Sequence, residues 1–219
     1  MQSTTIFKSA TKISIIIVVM MVGLGAMQKK VSASSPINVP NLVAGITVHK
    51  SLSPEDVAYL ENTLQLLHDQ LPEWSQYVEE AKPFTLIVNT REGDQGREAI
   101  AICCDENGNG TITFGHHLGQ SIDANTAEAQ QVMFIGTLIH ELTHVRDQRE
   151  KRFTTKTNRK SCVAAEKSGL EQQLAVKRAL TSVNMNDVFR QALEEQIVSE
   201  AHALNSRELW DFYCGAFEN

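Results

Sequence analysis

The chain of 219 residues has 42% hydrophobic and 21% charged residues with 12 glycines and 5 prolines, which fits one globular domain with a real core and excludes disordered and fibrous classes. Its formal charge is −6, so it lacks the basic excess with which proteins hold nucleic acid.

Residues 1–12 contain Lys8 and Lys12 and no acid, and an uncharged apolar run from Ile13 to Met27 follows them. That order matches an export signal. The run of about 15 residues is shorter than the roughly 20 that a membrane-spanning helix requires, so 1–33 is expected to be a cleaved signal, with an uncleaved anchor as the alternative. Cleavage after Ala33 places small residues at the last and third-last positions (Val31, Ala33), whereas cleavage after Ala26 keeps Lys29 and Lys30 away from the cut. Loss of 1–33 removes Lys8, Lys12, Lys29, Lys30 and no acid, taking the charge from −6 to −10. The expected location is secreted, periplasmic or otherwise extracytoplasmic.

Residues 34–44 contain Pro36 and Pro40 without a clear period and read as a linker into a domain over 45–219. GITVHKS, from Gly45, alternates as a short strand. Ser53, Pro54 and Asp56 then supply a helix start. Val57, Leu60, Leu64, Leu67 and Leu71 keep helical spacing, and Pro72 interrupts the helix before a second piece runs towards Lys82. Strand patterns follow at 84–90 (FTLIVNT), 98–104 (EAIAICC) and 111–115 (TITFG), the last two joined by the hairpin connection DENGNG. A buried helix is predicted from Asn125 to Arg149, with Asn125 and Glu128 as its cap pair, and further helices over 161–182, 187–204 and 206–216. The expected class is α+β, with a helical C-terminal half. Four cysteines, Cys103, Cys104, Cys162 and Cys214, allow two disulfides in an oxidising compartment. The expectation is that Cys103 or Cys104 pairs with Cys162 or Cys214, tying strands to helices.

Within the buried helix, LIHELTHVRDQ places His140 and His144 one turn apart on one face with Glu141 beside them, the HExxH pattern. Imidazoles at this spacing reach one tetrahedral zinc, and Glu141 is positioned to hold the attacking water as general base. A catalytic zinc takes a third protein ligand. The next helix offers Glu166, flanked by the small residues Ala164, Ala165 and Gly169 that permit close approach, with Glu171 in reserve. Asp147, on the ligand face, is positioned to accept an imidazole N–H, or else pairs with the arginines around it.

These residues resemble the gluzincin group of zinc metallopeptidases: HELTH on a buried helix after a small sheet, with a glutamate on the following helix. The similarity spans residues 84–182. It implies a zincin fold with a small, mainly antiparallel sheet, in which His140, His144 and Glu166 match the zinc ligands and Glu141 the residue that activates water. The chain departs from the group in having Ala165 where an asparagine precedes the ligand and Leu170 where an acid follows it. The metzincin pattern fails, since Val145 to Arg152 contains no glycine or histidine. Substrate in such enzymes adds to an exposed strand edge, and TITFG is the expected edge. His202 and Tyr213 in the C-terminal helices are candidate oxyanion donors. The expected function is exported, zinc-dependent hydrolysis of peptide bonds in a peptide or protein substrate. The alternatives are a non-proteolytic zincin-like binding protein and a metal-dependent hydrolase of a non-peptide amide.

Overall fold

The computed structural model describes residues 42–93, 98–120, 126–152, 158–183 and 187–215. The expected signal over 1–33, the linker before Leu42 and the Asn125 cap lie outside these residues. No helix among the described residues is long and apolar enough to cross a membrane.

The elements run β1 (Ile46–Val48), α1 (Pro54–Gln70), α2 (Pro72–Ala81), β2 (Phe84–Val88), α3 (Thr90–Gly93), β3 (Ala99–Ile102), β4 (Gly110–Phe114), α4 (Ala127–Arg149), α5 (Arg159–Leu180), α6 (Asp187–Ala203) and α7 (Arg207–Cys214). This is an α+β arrangement of one small sheet and a helical C-terminal half. The start of α1 is fixed reciprocally: Ser53 Oγ accepts from the Asp56 amide at 3.1 Å and Asp56 Oδ2 accepts from the Ser53 amide at 2.7 Å. Asp56 is buried, and it also accepts from the Leu118 amide at 2.6 Å and bonds His117 Nδ1 at 2.8 Å, locking α1 to the segment between β4 and α4. Burial alone would raise this carboxyl. The bonds from His117 and from the Ser53 and Leu118 amides outweigh it and hold the group below its ordinary value.

The sheet order is β1-β2-β4-β3. β1 pairs with β2 and β2 with β4 in parallel, and only β3 runs antiparallel, against β4. The sheet is therefore mixed, which corrects the mainly antiparallel expectation. For β1 and β2 the cause is the connection: α1 and α2 carry the chain back to the start of the sheet, and such a crossover yields parallel neighbours; β4 lies parallel to β2 because the antiparallel β3 returns the chain before it. The expected hairpin of β3 and β4 forms, but it docks with β4 inward. TITFG is thus an interior strand, burying Ile112 and Phe114, and the edge strand beside α4 is β3, whose Ile102 is exposed.

Phe84, Leu86 and Val88 of β2 lie beside Gly110, Ile112 and Phe114 of β4 on one buried face. Against it pack Leu60, Leu64 and Leu67 of α1, Trp74 and Val78 of α2, and Ile135, Leu138, Ile139, Leu142 and Val145 of α4. Gly110 sets the approach of α4, since a Cβ there would lie 2.6 Å from Val145 Cγ1. α4 is buried continuously from Phe134 to Val145, as its apolar composition predicts. Its cap is Thr126, whose hydroxyl accepts from the Ala129 amide at 3.1 Å. At its far end Arg149 donates to the carbonyls of Ala81, Lys82, Pro83 and Gly108, each at 3.1 Å, pinning α4 to the α2–β2 turn and the hairpin.

Two disulfides close, Cys162–Cys214 and Cys103–Cys104. The expected bridge between sheet and helices is not made. α7 folds back along α5 and brings Cys214 to Cys162, with their Cα atoms 5.8 Å apart, while Cys103 and Cys104 sit together just past the end of β3.

Candidate metal centre

His140 and His144 project from consecutive turns of α4 towards α5, where Glu166 faces them. Their Nε2 atoms are 3.0 Å apart, and Glu166 Oε2 stands 3.3 Å from His140 Nε2 and 3.5 Å from His144 Nε2. All three side chains are buried, at 4–6% exposure. A tetrahedral ion with ligand bonds of about 2.0–2.1 Å separates its ligand atoms by about 3.3–3.4 Å, so this triangle has the size of one face of such a coordination shell. His140, His144 and Glu166, converging in a buried space, form a group that could hold a metal ion. Burial alone would raise the Glu166 carboxyl, but hydrogen bonds and charge from His140 and His144 outweigh it and hold the group far below its ordinary range.

The close approach of α5 depends on Gly169, one turn after Glu166, because a Cβ there would lie 2.9 Å from His140 Cε1 and Nε2. Beside it, Ser168 Oγ donates to Asp147 Oδ2 at 2.8 Å. Asp147 is buried and also receives Arg152 Nε at 3.2 Å, so its partners fasten α4 to α5 and to the chain past α4. An imidazole N–H is not among the partners shown for Asp147. Glu171 is corrected as a ligand: five residues past Glu166 it has turned to the outer face of α5, half exposed, with Lys167 Nζ at 3.7 Å. His202 is exposed on the last turn of α6.

Glu141, next to His140 on α4, is buried. Tyr213 keeps 39% of its surface open, yet desolvation, and then the charges of Glu166, Glu141, Glu200 and Glu98, push its hydroxyl up to about 12. His116 and His117 are engaged elsewhere, with Glu98 Oε2 at 2.6 Å and with Asp56 respectively. A shallow pocket lined by Glu98, His116, Phe114, Phe134 and Thr137 opens there, Thr137 lying one turn before Glu141 on α4.

One residue of the region escaped sequence reasoning. Lys177 is wholly buried on the same face of α5 as Glu166, and its Nζ pairs with Glu200 of α6 and approaches Met133 Sδ at 3.5 Å. α5 also carries Lys160, Lys167 and Arg178, so nothing local in the sequence marked Lys177 as the buried one. No known protein family, curated protein or solved structure matches this chain.

Proposed function

We propose that the chain is an exported zinc metallopeptidase of the gluzincin type, with His140, His144 and Glu166 as ligands. The observation that carries this reading is the buried His-His-Glu triangle with the dimensions of a tetrahedral face and Glu141 beside it. The nitrogen and oxygen donors suit zinc, and HExxH on a buried helix is the arrangement with which it is used in peptide hydrolysis. Zinc so held supplies Lewis acidity towards a water and a substrate carbonyl.

The protein's own groups complete the reaction. Glu141 takes the proton of the attacking water and delivers it to the leaving amine. Tyr213, whose hydroxyl burial and the neighbouring carboxylates push up to about 12, donates its O–H to the developing oxyanion. Substrate lies as an added strand along the outer edge of β3, the strand beside α4, and the pocket at Thr137 and Glu98 receives one of its side chains. Two disulfides fit an oxidising, extracytoplasmic setting. A binding protein without activity, and a hydrolase of a non-peptide amide, are the other readings. Burial of Glu141 beside the ligands favours hydrolysis, since metal binding alone has no use for that carboxylate.

Elemental analysis of the purified protein and cleavage of an unfolded protein such as casein test the proposal. Wild type is expected to hold one zinc and cleave, Glu141→Gln to keep zinc without cleaving, and Glu166→Ala to lose zinc. Zinc without cleavage turns the reading to binding or to another amide, and absence of metal ends it.

A further inference from the structure

We propose that the Cys162–Cys214 disulfide is a positioning element of the metal centre: by clamping α7 to α5 it holds Tyr213 at the site, and its reduction withdraws Tyr213 while leaving the metal in place. This rests on the metal-centre reading above and adds to it a dependence on redox state.

The argument is geometric. Cys162 precedes Glu166 by four residues, which puts both on one face of α5, about 6 Å apart along the axis. Tyr213 immediately precedes Cys214, and Cys162 Sγ lies 3.8 Å from the Tyr213 carbonyl oxygen. The bridge therefore holds the Tyr213 backbone against the turn of α5 that precedes the one carrying Glu166. Both sulfurs are interior, Cys162 at 1% and Cys214 at 0% exposure.

Apart from the half-buried Leu209 and Trp210, the described residues of α7 offer little else to hold it. It spans eight residues, too few to persist as a helix in isolation. Its Phe212 is 77% exposed. Its ion pair to α5, Arg159 with Asp211, sits at the surface, where such pairs contribute little. By contrast the α4–α5 contact that assembles the ligands has its own fastenings, in the apolar core, the Gly169 approach and the Ser168–Asp147 bond. Opening the bridge thus frees α7 and spares the His-His-Glu group.

The chemistry balances with a dithiol reductant. Its two thiols give two electrons and two protons and become a cyclic disulfide, while Cys162–Cys214 becomes two thiols. The consequence is a protein that binds metal when reduced but gains its oxyanion donor only once oxidised, as occurs after export.

The test uses cobalt(II)-substituted protein and acetohydroxamate, a small metal-binding anion whose affinity is read from the cobalt absorption bands without turnover. One hydrogen bond to that anion corresponds to about a 2- to 12-fold change in affinity. Tyr213→Phe is expected to weaken binding by that factor. The double variant Cys162→Ser/Cys214→Ser should lose the same factor, and so should folded wild type treated with dithiothreitol. Adding Tyr213→Phe to the open bridge should cost nothing further. Dithiothreitol should leave the double variant unchanged, which discounts Cys103–Cys104. Amide exchange should quicken in α7 on reduction, but not around His140 and Glu166, and cobalt content should hold.

Loss of cobalt on opening the bridge overturns the proposal, as do multiplicative losses in the combined variant or a Tyr213→Phe protein that binds as wild type does. Peptide cleavage by the same proteins separates the two readings. The acetohydroxamate pattern without any cleavage leaves the clamp standing and removes the peptidase; with cleavage, kcat should fall on reduction while KM holds.

Discussion

Gly169→Ala gives the most discriminating single perturbation, because it should separate the fold from the metal centre. Alanine is the better helix former by about 0.8–1.0 kcal/mol, so α5 alone favours the change. The new methyl, however, lies 2.9 Å from His140 Cε1 and Nε2, where ordinary carbon contacts are about 3.5–4.0 Å, and the ring must retreat by about 0.6 Å or more. Without metal, the imidazole turns aside at little cost, and the melting temperature should stay within a few degrees of wild type. With metal, Nε2 is held to about 0.2 Å of its bond length, so the same retreat breaks or strains the bond. Disturbing the surroundings of a ligand histidine costs about 10- to 100-fold in affinity, and moving the ligand atom itself should cost at least that, or about 1.4–2.7 kcal/mol. Competition for zinc against a chelating dye measures the affinity. Thermal melts with and without zinc should show a smaller metal-induced rise in the variant. Wild-type zinc affinity together with an unchanged zinc-bound melting temperature would refute the account of how α5 meets α4.

Two further substitutions probe the frame around the site. Asp56→Ala removes the acceptor of the Ser53 and Leu118 amides and of His117, and should destabilise the fold by about 3 kcal/mol at neutral pH in urea unfolding. Because the folded pKa lies below the unfolded one, this contribution is full above about pH 4 and fades as pH falls through the depressed folded value, so the gap between the two proteins should narrow in acid. Arg149→Met removes donors to four carbonyls and should cost about 2–4 kcal/mol, with zinc stoichiometry unchanged in the folded protein; loss of zinc at full stability would contradict its structural role.

Local signals made most elements legible. Ser53, Pro54 and Asp56 mark the start of α1, and Pro72 divides it from α2, because caps and prolines act through neighbouring backbone. Strand positions were legible from alternation, but sheet order was not. TITFG and EAIAICC alternate alike whichever lies outermost, and only the direction in which the hairpin docks on β2 makes β3 the edge. The parallel pairings were hidden for a related reason, since that of β1 with β2 follows from the path of α1 and α2, and that of β2 with β4 from the way the β3–β4 hairpin docks, rather than from any residue within the strands.

At the centre, HELTH marked two of the three converging side chains by helical geometry, and the small residues around Glu166 marked the face of α5 that approaches them. Tyr213 and His202 could not be ranked by spacing, because neither shares a helix with a ligand. What ranks them is Cys214, next to Tyr213, joined to Cys162, one turn from Glu166. Four cysteines permit three pairings, and each other pairing takes Cys214 to the end of β3 instead. The choice between Tyr213 and His202 as proposed donor was therefore carried by a pairing that composition leaves open, since the bridge sets the Tyr213 backbone against α5 one turn before Glu166 and does nothing of the kind for His202.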